Sequence, residues 1–159
     1  MWDPPPGFKV ASVSVLVAYD HDDWWVLFIK RPSWMREHPL EIGFPGGKRD
    51  AGDESLWETA RRETEEEVGV ILTPPQCLGC LAPVVVKASK YWIWPWLIGT
   101  SQKVVLTPNP QEVSEAAWIS WRDLRAGSYR GPYGIAYRSD FGTIWGATAR
   151  ILQQLLPMA

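Results

Sequence analysis

The chain has 159 residues, 46% of them hydrophobic and 21% charged, with a formal net charge of −2. That length and balance fit one globular domain, residues 1–159, with a sizeable core, and exclude a disordered chain. The weak negative charge argues against a general nucleic-acid or membrane-surface binder, and no apolar run of about 18 residues is there to span a bilayer.

The opening "MWDPPPGFKV" lacks the basic and then apolar pattern of a secretion signal, so the expected location is the cytoplasm. Residues 10–19, "VASVSVLVAY", alternate and are rich in valine, which predicts a strand. "HDD" makes a turn, and "WWVLFIK" (24–30) is a second strand forming a hairpin with the first. "LEIGFPGGKRDAGD" is a short extended piece running into a glycine-rich loop. A helix starts near Ser55, whose hydroxyl can cap it while Glu58 reaches back, and Gly69 ends it.

"CLAPVVV" and "YWIWPWLIGT" follow as strands separated by "KASK", and Pro95 marks the second as an edge strand or a bulged one. "EAAWIS" is a further short strand and "WRDLRAG" a helical turn. Ile144, Ala147, Ile151, Leu152 and Leu155 recur at helical spacing, predicting a packed C-terminal helix over 143–156. The order β, β, loop, α, β, β, β, α predicts an α/β fold with a mixed sheet covered by helices on both faces.

Two features have plain structural explanations. His21 and His38 are not spaced to complete a zinc site with Cys77 and Cys80, and a redox pair would normally stand at a helix start whereas this one lies in strand-like sequence, so they read as two half-buried thiols. Trp92, Trp94 and Trp96 project from one face of their strand, where core or edge-covering packing is the plainer role and stacking of an adenine the alternative.

The functional signal is "RRETEEEVGV" (61–70), with glutamates at 63, 65, 66 and 67. At about 100° per residue, Glu63, Glu66 and Glu67 share one arc of the helix while Glu58 and Glu65 point away. Ala60, Thr64 and Val68 form the adjoining face that packs on the sheet, and the small Thr59 leaves room above the carboxylates. Like charges at this spacing weaken a helix, and Arg62, placed to brace Glu66, does not balance three acids. A solvated acidic face is one reading. The other is a site for hard divalent cations, Mg²⁺ or Mn²⁺, which take oxygen ligands. The loop "FPGGKRDAGD" shifts the balance to the second, since Gly46 and Gly47 permit a tight backbone path close to a phosphate or a metal.

At these residues the sequence resembles the Nudix box, G-x5-E-x7-R-E-U-x-E-E-x-G-U, where U is bulky and apolar. Arg62, Glu63, Glu66, Glu67, Gly69 and Val70 match its second half, with Thr64 at a U position. Counting forward from Gly47, Asp53 stands where the pattern has glutamate. Counting back from Arg62, Glu54 is in place, so the loop is one residue longer. The coenzyme A diphosphatase type of Nudix hydrolase is similar in having this longer loop and Asp. It also has an upstream signature that Leu27, Arg31, Arg36, His38 and "FPGG" match, while Ile29, Pro32 and Leu40 depart from its Thr, Ser and Gly. "PNPQEV" (108–113) and "IWGATARIL" (144–152) also look like that type.

The resemblance implies a Nudix-like α/β/α sandwich with the Nudix-box helix and the C-terminal helix on opposite faces. It implies metal-dependent hydrolysis of a nucleoside diphosphate derivative, most specifically coenzyme A, to 3′,5′-ADP and phosphopantetheine. Glu63, Glu66, Glu67 and the Gly47 carbonyl would be Mg²⁺ or Mn²⁺ ligands. Glu63, Glu66 and Arg62 would form the catalytic set, with Glu66 a ligand or base and Arg62 orienting Glu66 or the loop. The 3′-phosphate of coenzyme A calls for extra cations, for which Arg31, Arg36, His38 and Lys48 are the candidates and Arg49 a further one. Glu112 and Glu115 could add a ligand from a neighbouring loop, although exposed loop acids are commoner. The partner expected is a small nucleotide, with neither nucleic acid nor membrane, and the oligomeric state is left open, a homodimer included. The rivals are a Nudix hydrolase for ADP-ribose, dinucleotide polyphosphates or oxidised nucleotides, and an inactive nucleotide- or protein-binding scaffold. An acidic interaction helix without metal leaves the glycine loop unexplained.

Overall fold

The computed structural model describes residues 3–34 and 40–155. Its elements, in chain order, are β1 (Lys9–Asp20), β2 (Asp23–Lys30), β3 (Ile42–Gly43), β4 (Gly46–Lys48) and α1 (Leu56–Val68). A short 3-10 turn (Pro74–Gln76) leads to β5 (Cys77–Cys80), β6 (Val84–Val86), β7 (Tyr91–Thr100) and β8 (Glu115–Ser120). Then come α2 (Trp121–Ala126), β9 (Ser128–Gly131), β10 (Gly134–Ser139), β11 (Gly142–Ile144) and α3 (Gly146–Gln153).

β1 organises the main sheet. It pairs antiparallel with β2 and β4 and parallel with β7, from Lys9 opposite Tyr91 to Ala18 opposite Thr100. A strand enclosed in this way is apolar on both faces, and Val15, Leu16, Val17 and Ala18 are all buried. Val15 and Val17 face a cluster with Val26, Phe28, Phe44, Leu124, Ile151 and Leu152, which seats α2 and α3. Leu16 faces the other way, with Leu27, Ile29, Val68, Val70 and Ile98, under α1. Helices therefore cover both faces of a mixed sheet, the expected α/β/α sandwich.

α1 is fixed at both ends and along its length. The Ser55 side chain accepts from Glu58 N–H, and Gly69, at φ 72°, closes the helix by donating to the Glu65 carbonyl. The expected return arm of the capping box is not made, because Arg61 takes the Glu58 carboxylate at 2.6 and 3.0 Å. Two buried serines tie the helix to β1: Ser12 Oγ donates to the Leu56 carbonyl, and Thr64 Oγ1 donates to Ser14 Oγ. Thr64, the one polar residue at a bulky-apolar position, is thus paired rather than stranded.

Three expectations are corrected. "CLAPVVV" forms two strands, β5 and β6, both paired to β7, so β7 is an interior strand and Pro95 is not on an edge. The Pro95 carbonyl accepts from Leu81 N–H. Its missing N–H faces the same side, where residues 81–83 interrupt the ladder. The C-terminal helix begins at Gly146, because Ile144 belongs to β11 opposite Tyr137; its expected last residue, Leu156, lies outside the described residues. The small sheet β11-β10-β9 was not anticipated.

Candidate active site

Two glycines make the floor of the site. At Gly46, with φ 152°, a Cβ would stand 2.4 Å from the Ser12 carbonyl oxygen and 2.6 Å from Val13 Cα, so no side chain fits. Its free N–H donates to Glu67 Oε1 at 2.8 Å. At Gly47 a Cβ would stand 2.8 Å from Glu63 Oε2, so the Glu63 carboxylate lies directly against this backbone. The Pro45–Gly47 stretch is held in turn by β1, through Ser14 N–H to the Pro45 carbonyl and the β1–β4 pairing.

The three acids of the arc are not equivalent. Glu67 is 8% exposed, and burial pushes its carboxyl well above the usual range. The Gly46 N–H and the charge of Arg31 oppose that rise, while Glu63 and Glu112 add to it. Glu63 is shifted upward too, first by burial and then by Glu66 and Glu112, against its pairing with Arg62. Glu66 is the open one, with both oxygens 3.5 Å from Arg62 Nη1. Glu58 and Glu65 lie on the far side with Arg61, as the helical spacing requires.

Arg62 is the hub of the loop–helix junction. Its Nε and Nη2 donate to the two oxygens of Asp53 at 3.1 and 2.9 Å, a bidentate pair. Its Nη1 donates to Glu63 Oε1 at 2.8 Å and reaches Glu66, and Nη2 also lies 3.3 Å from Asp50. Asp53 is buried and accepts as well from Asp50 N–H and Thr59 Oγ1. The Arg62 hydrogen bonds, then the Asp50 N–H, hold its carboxyl far below the usual range, and Asp53 raises Arg62 in return. Asp53, not the exposed Glu54, is therefore the inward acid of the lengthened loop, and Thr59 serves it rather than leaving space.

Of the expected substrate contacts, Arg31 brackets the loop after β2: its N–H donates to the Glu41 carbonyl, and Leu40 N–H donates to the Arg31 carbonyl. Arg36 and His38 lie outside the described residues. Lys48 is exposed at the end of β4, and Arg49 is turned to the Asp53 carbonyl at 3.2 Å. Glu115 pairs with Lys30 on the β8–β2 ladder, whereas Glu112 bears on both Glu63 and Glu67. Glu112 is brought there by segment 107–113, where Thr107 and Asn109 N–H groups satisfy the Val68 and Glu67 carbonyls at the end of α1. No spacing rule in the sequence shows that docking.

Among the described residues no three Asp, Glu, His or Cys side chains converge as a complete ligand cage. The donor set nonetheless fits a hard cation. Glu67 carries a buried carboxylate that accepts from the Gly46 N–H, beside a second carboxylate, and both would be relieved by a positive ion. Mg²⁺ in particular is commonly held by one or two carboxylates, its other positions filled by substrate phosphates and water.

The chain is an α/β/α sandwich in which a glycine floor lies beneath two helix-borne carboxylates. A family model described as the NUDIX domain matches residues 9–137, and the chain belongs to the Nudix family, hydrolases of nucleoside diphosphate derivatives. A NudL protein of Yersinia enterocolitica, described as an uncharacterized Nudix hydrolase, is 35% identical over 142 residues, covering 82% of this chain and 71% of its own. Its counterpart in Yersinia pestis is 34% identical over 142 residues, covering 82% and 70%. Among solved structures, the NUDIX domain of Shewanella oneidensis NrtR, complexed with ADP ribose, superposes with a TM-score of 0.67 at 20% identity, covering 98% of this chain and 90% of that one. The Nudix hydrolase RenU of M. smegmatis gives 0.65 at 18%, covering 94% and 84%. At these identities the structures share the fold alone. No helix among the described residues is long and apolar enough to cross a membrane.

Proposed function

We propose that this chain hydrolyses the diphosphate of coenzyme A, or of a coenzyme A derivative, to 3′,5′-ADP and phosphopantetheine. The observation that carries the chemistry is the carboxylate pair on the glycine floor: buried Glu67 on the Gly46 N–H, with Glu63 against Gly47. Glu63, Glu67 and the Gly47 carbonyl would hold Mg²⁺ or Mn²⁺, with Glu66 as a further ligand or as the base. The bound ion would neutralise the diphosphate and lower the pKa of a coordinated water.

The residues then divide the work. Water oxygen forms a bond to one phosphorus as the bridging P–O bond breaks, and a carboxylate takes the water's proton. Glu66, exposed beside Arg62 Nη1, would be the candidate for that role if it is not itself a ligand. Arg62 keeps Glu63 and Glu66 in register with the loop through Asp53. Arg31 supplies positive charge near Glu67, and with Arg36, His38 and Lys48 would meet the remaining phosphates.

The coenzyme A assignment draws on the upstream signature, including a position where the sequence departs from it. Leu40 replaces the signature glycine yet has φ 60°, the left-handed backbone that glycine favours. Leu40 therefore occupies a backbone conformation that a glycine would adopt without strain. ADP-ribose is the competing substrate, as the ligand bound to the similar NrtR domain. The test is product analysis with coenzyme A, ADP-ribose and diadenosine polyphosphates in Mg²⁺ or Mn²⁺. Release of 3′,5′-ADP from coenzyme A in preference to turnover of the others supports the assignment; turnover of ADP-ribose alone discards it.

A further inference from the structure

The cysteine pair acquires a new meaning from the register of β5. Three residues apart on a regular strand, Cys77 and Cys80 would point to opposite faces. In the structure Cys77 stands opposite Ile98, Gly79 opposite Leu97 and Cys80 opposite Trp96, so Leu78 is one residue too many. Ile98 and Trp96 share a face of β7, and the bulge therefore puts both thiols on one face as well. Cys77 Sγ leans along the strand, 3.6 Å from the carbonyl oxygen of Gly79, the group bonded to Cys80 nitrogen. Between them Gly79, at φ 132°, has a backbone that only glycine adopts freely, with nothing within 4 Å of where a Cβ would stand. β5 ends the main sheet order, Leu78 is 63% exposed, and both thiols are half-buried and free.

We propose that Cys77 and Cys80 are a vicinal dithiol that closes reversibly to an intramolecular disulfide by exchange with a small-molecule disulfide. One cysteine thiolate attacks a sulfur of the reagent, forming a mixed disulfide and expelling one reagent thiolate. The second cysteine then attacks the protein sulfur of that bond, closing the ring and expelling the other reagent thiolate. The two protons lost by the cysteines go to the two expelled thiolates, and the reagent is reduced as the protein is oxidised. Closure would occur beside Trp96, the register partner of Cys80, where a disulfide quenches indole emission.

The experiment is intact-mass and fluorescence analysis of the folded chain after exposure to glutathione disulfide and removal of excess reagent. Wild type is expected to lose two hydrogens with no retained glutathione, and to lose emission that dithiothreitol restores. Cys77→Ser and Cys80→Ser are each expected to stop with one glutathione attached, and Trp96→Phe to close without the quench. Persistent double glutathionylation of wild type, disulfide-linked dimers, or two unreacted thiols would each overturn the proposal. These readings need no variant, so a poorly folded serine substitution does not decide the matter.

Discussion

Replacing Glu67 by glutamine is expected to make the metal-free protein more stable while removing its activity. Burial raises the proton affinity of this 8% exposed carboxyl well above the usual range, against the hydrogen bond from the Gly46 N–H, so keeping it ionised costs stability. Ionised groups so buried cost several kcal/mol, while the amide oxygen still accepts from Gly46 and gives up only about 1 kcal/mol of charge assistance. The net gain is about 1–3 kcal/mol, or roughly 3–10 °C in Tm for a domain of this length. The sign follows from linkage. A carboxyl whose folded pKa lies above its unfolded value destabilises the fold fully above the folded pKa, and the penalty shrinks as pH falls from the folded to the unfolded pKa, below which it is gone. The difference between variant and wild type should therefore narrow on acidification. Scanning calorimetry in chelator across neutral and acidic pH reads it, and repetition with Mg²⁺ should raise wild type selectively, since a ligand stabilises only the state that binds it. A variant less stable than wild type at neutral pH in chelator would refute the reasoning.

Asp53→Asn should release Arg62 from its bidentate pair and let Glu63 and Glu66 drift, lowering turnover or metal affinity by about 10–100-fold with the fold retained; unchanged kinetics would remove Asp53 from the site's support. Gly46→Ala should destabilise by roughly 2–4 kcal/mol in urea unfolding, since its methyl would meet the Ser12 carbonyl and the backbone at φ 152° resists a side chain. Leu40→Gly should stabilise by about 0.5–1 kcal/mol, the left-handed strain exceeding the added flexibility of the unfolded chain, with little apolar burial lost at an exposed position. Urea melts check the last two, and a loss of stability in Leu40→Gly would count against the loop geometry.

What the sequence conveyed depended on how local each determinant is. α1 was legible because Ser55, Gly69 and the glutamate spacing are all signals within the helix itself. The β1–β2 hairpin was legible because alternation and a polar turn lie side by side. β9, β10 and β11 are short, begin or end on glycine, and are joined by the two-residue turns Pro132–Tyr133 and Asp140–Phe141, so no window along them shows a strand period. Pro95 reads as an edge residue until the break between β5 and β6 supplies a place for its missing donor. Within the site, the arc of Glu63, Glu66 and Glu67 followed from helical geometry, but their ranking did not, since burial of Glu67 depends on where the glycine loop lands. Asp53 was recognisable only as a departure from a pattern. Its partners Thr59 and Arg62 stand one and two turns further on, yet the loop's path alone decides that it, and not Glu54, turns inward. Glu112 depends on a docking segment whose backbone satisfies the end of α1, a contact without a sequence signature.

The central claim is that Glu63 and Glu67 hold the cation used in hydrolysis, and Mn²⁺ binding followed by electron paramagnetic resonance tests it most directly. Wild-type protein should deplete the signal of free Mn²⁺, and the double substitution Glu63→Gln with Glu67→Gln, folded by circular dichroism, should leave it close to that of buffer. Equal depletion by both proteins would place the metal elsewhere and contradict the account.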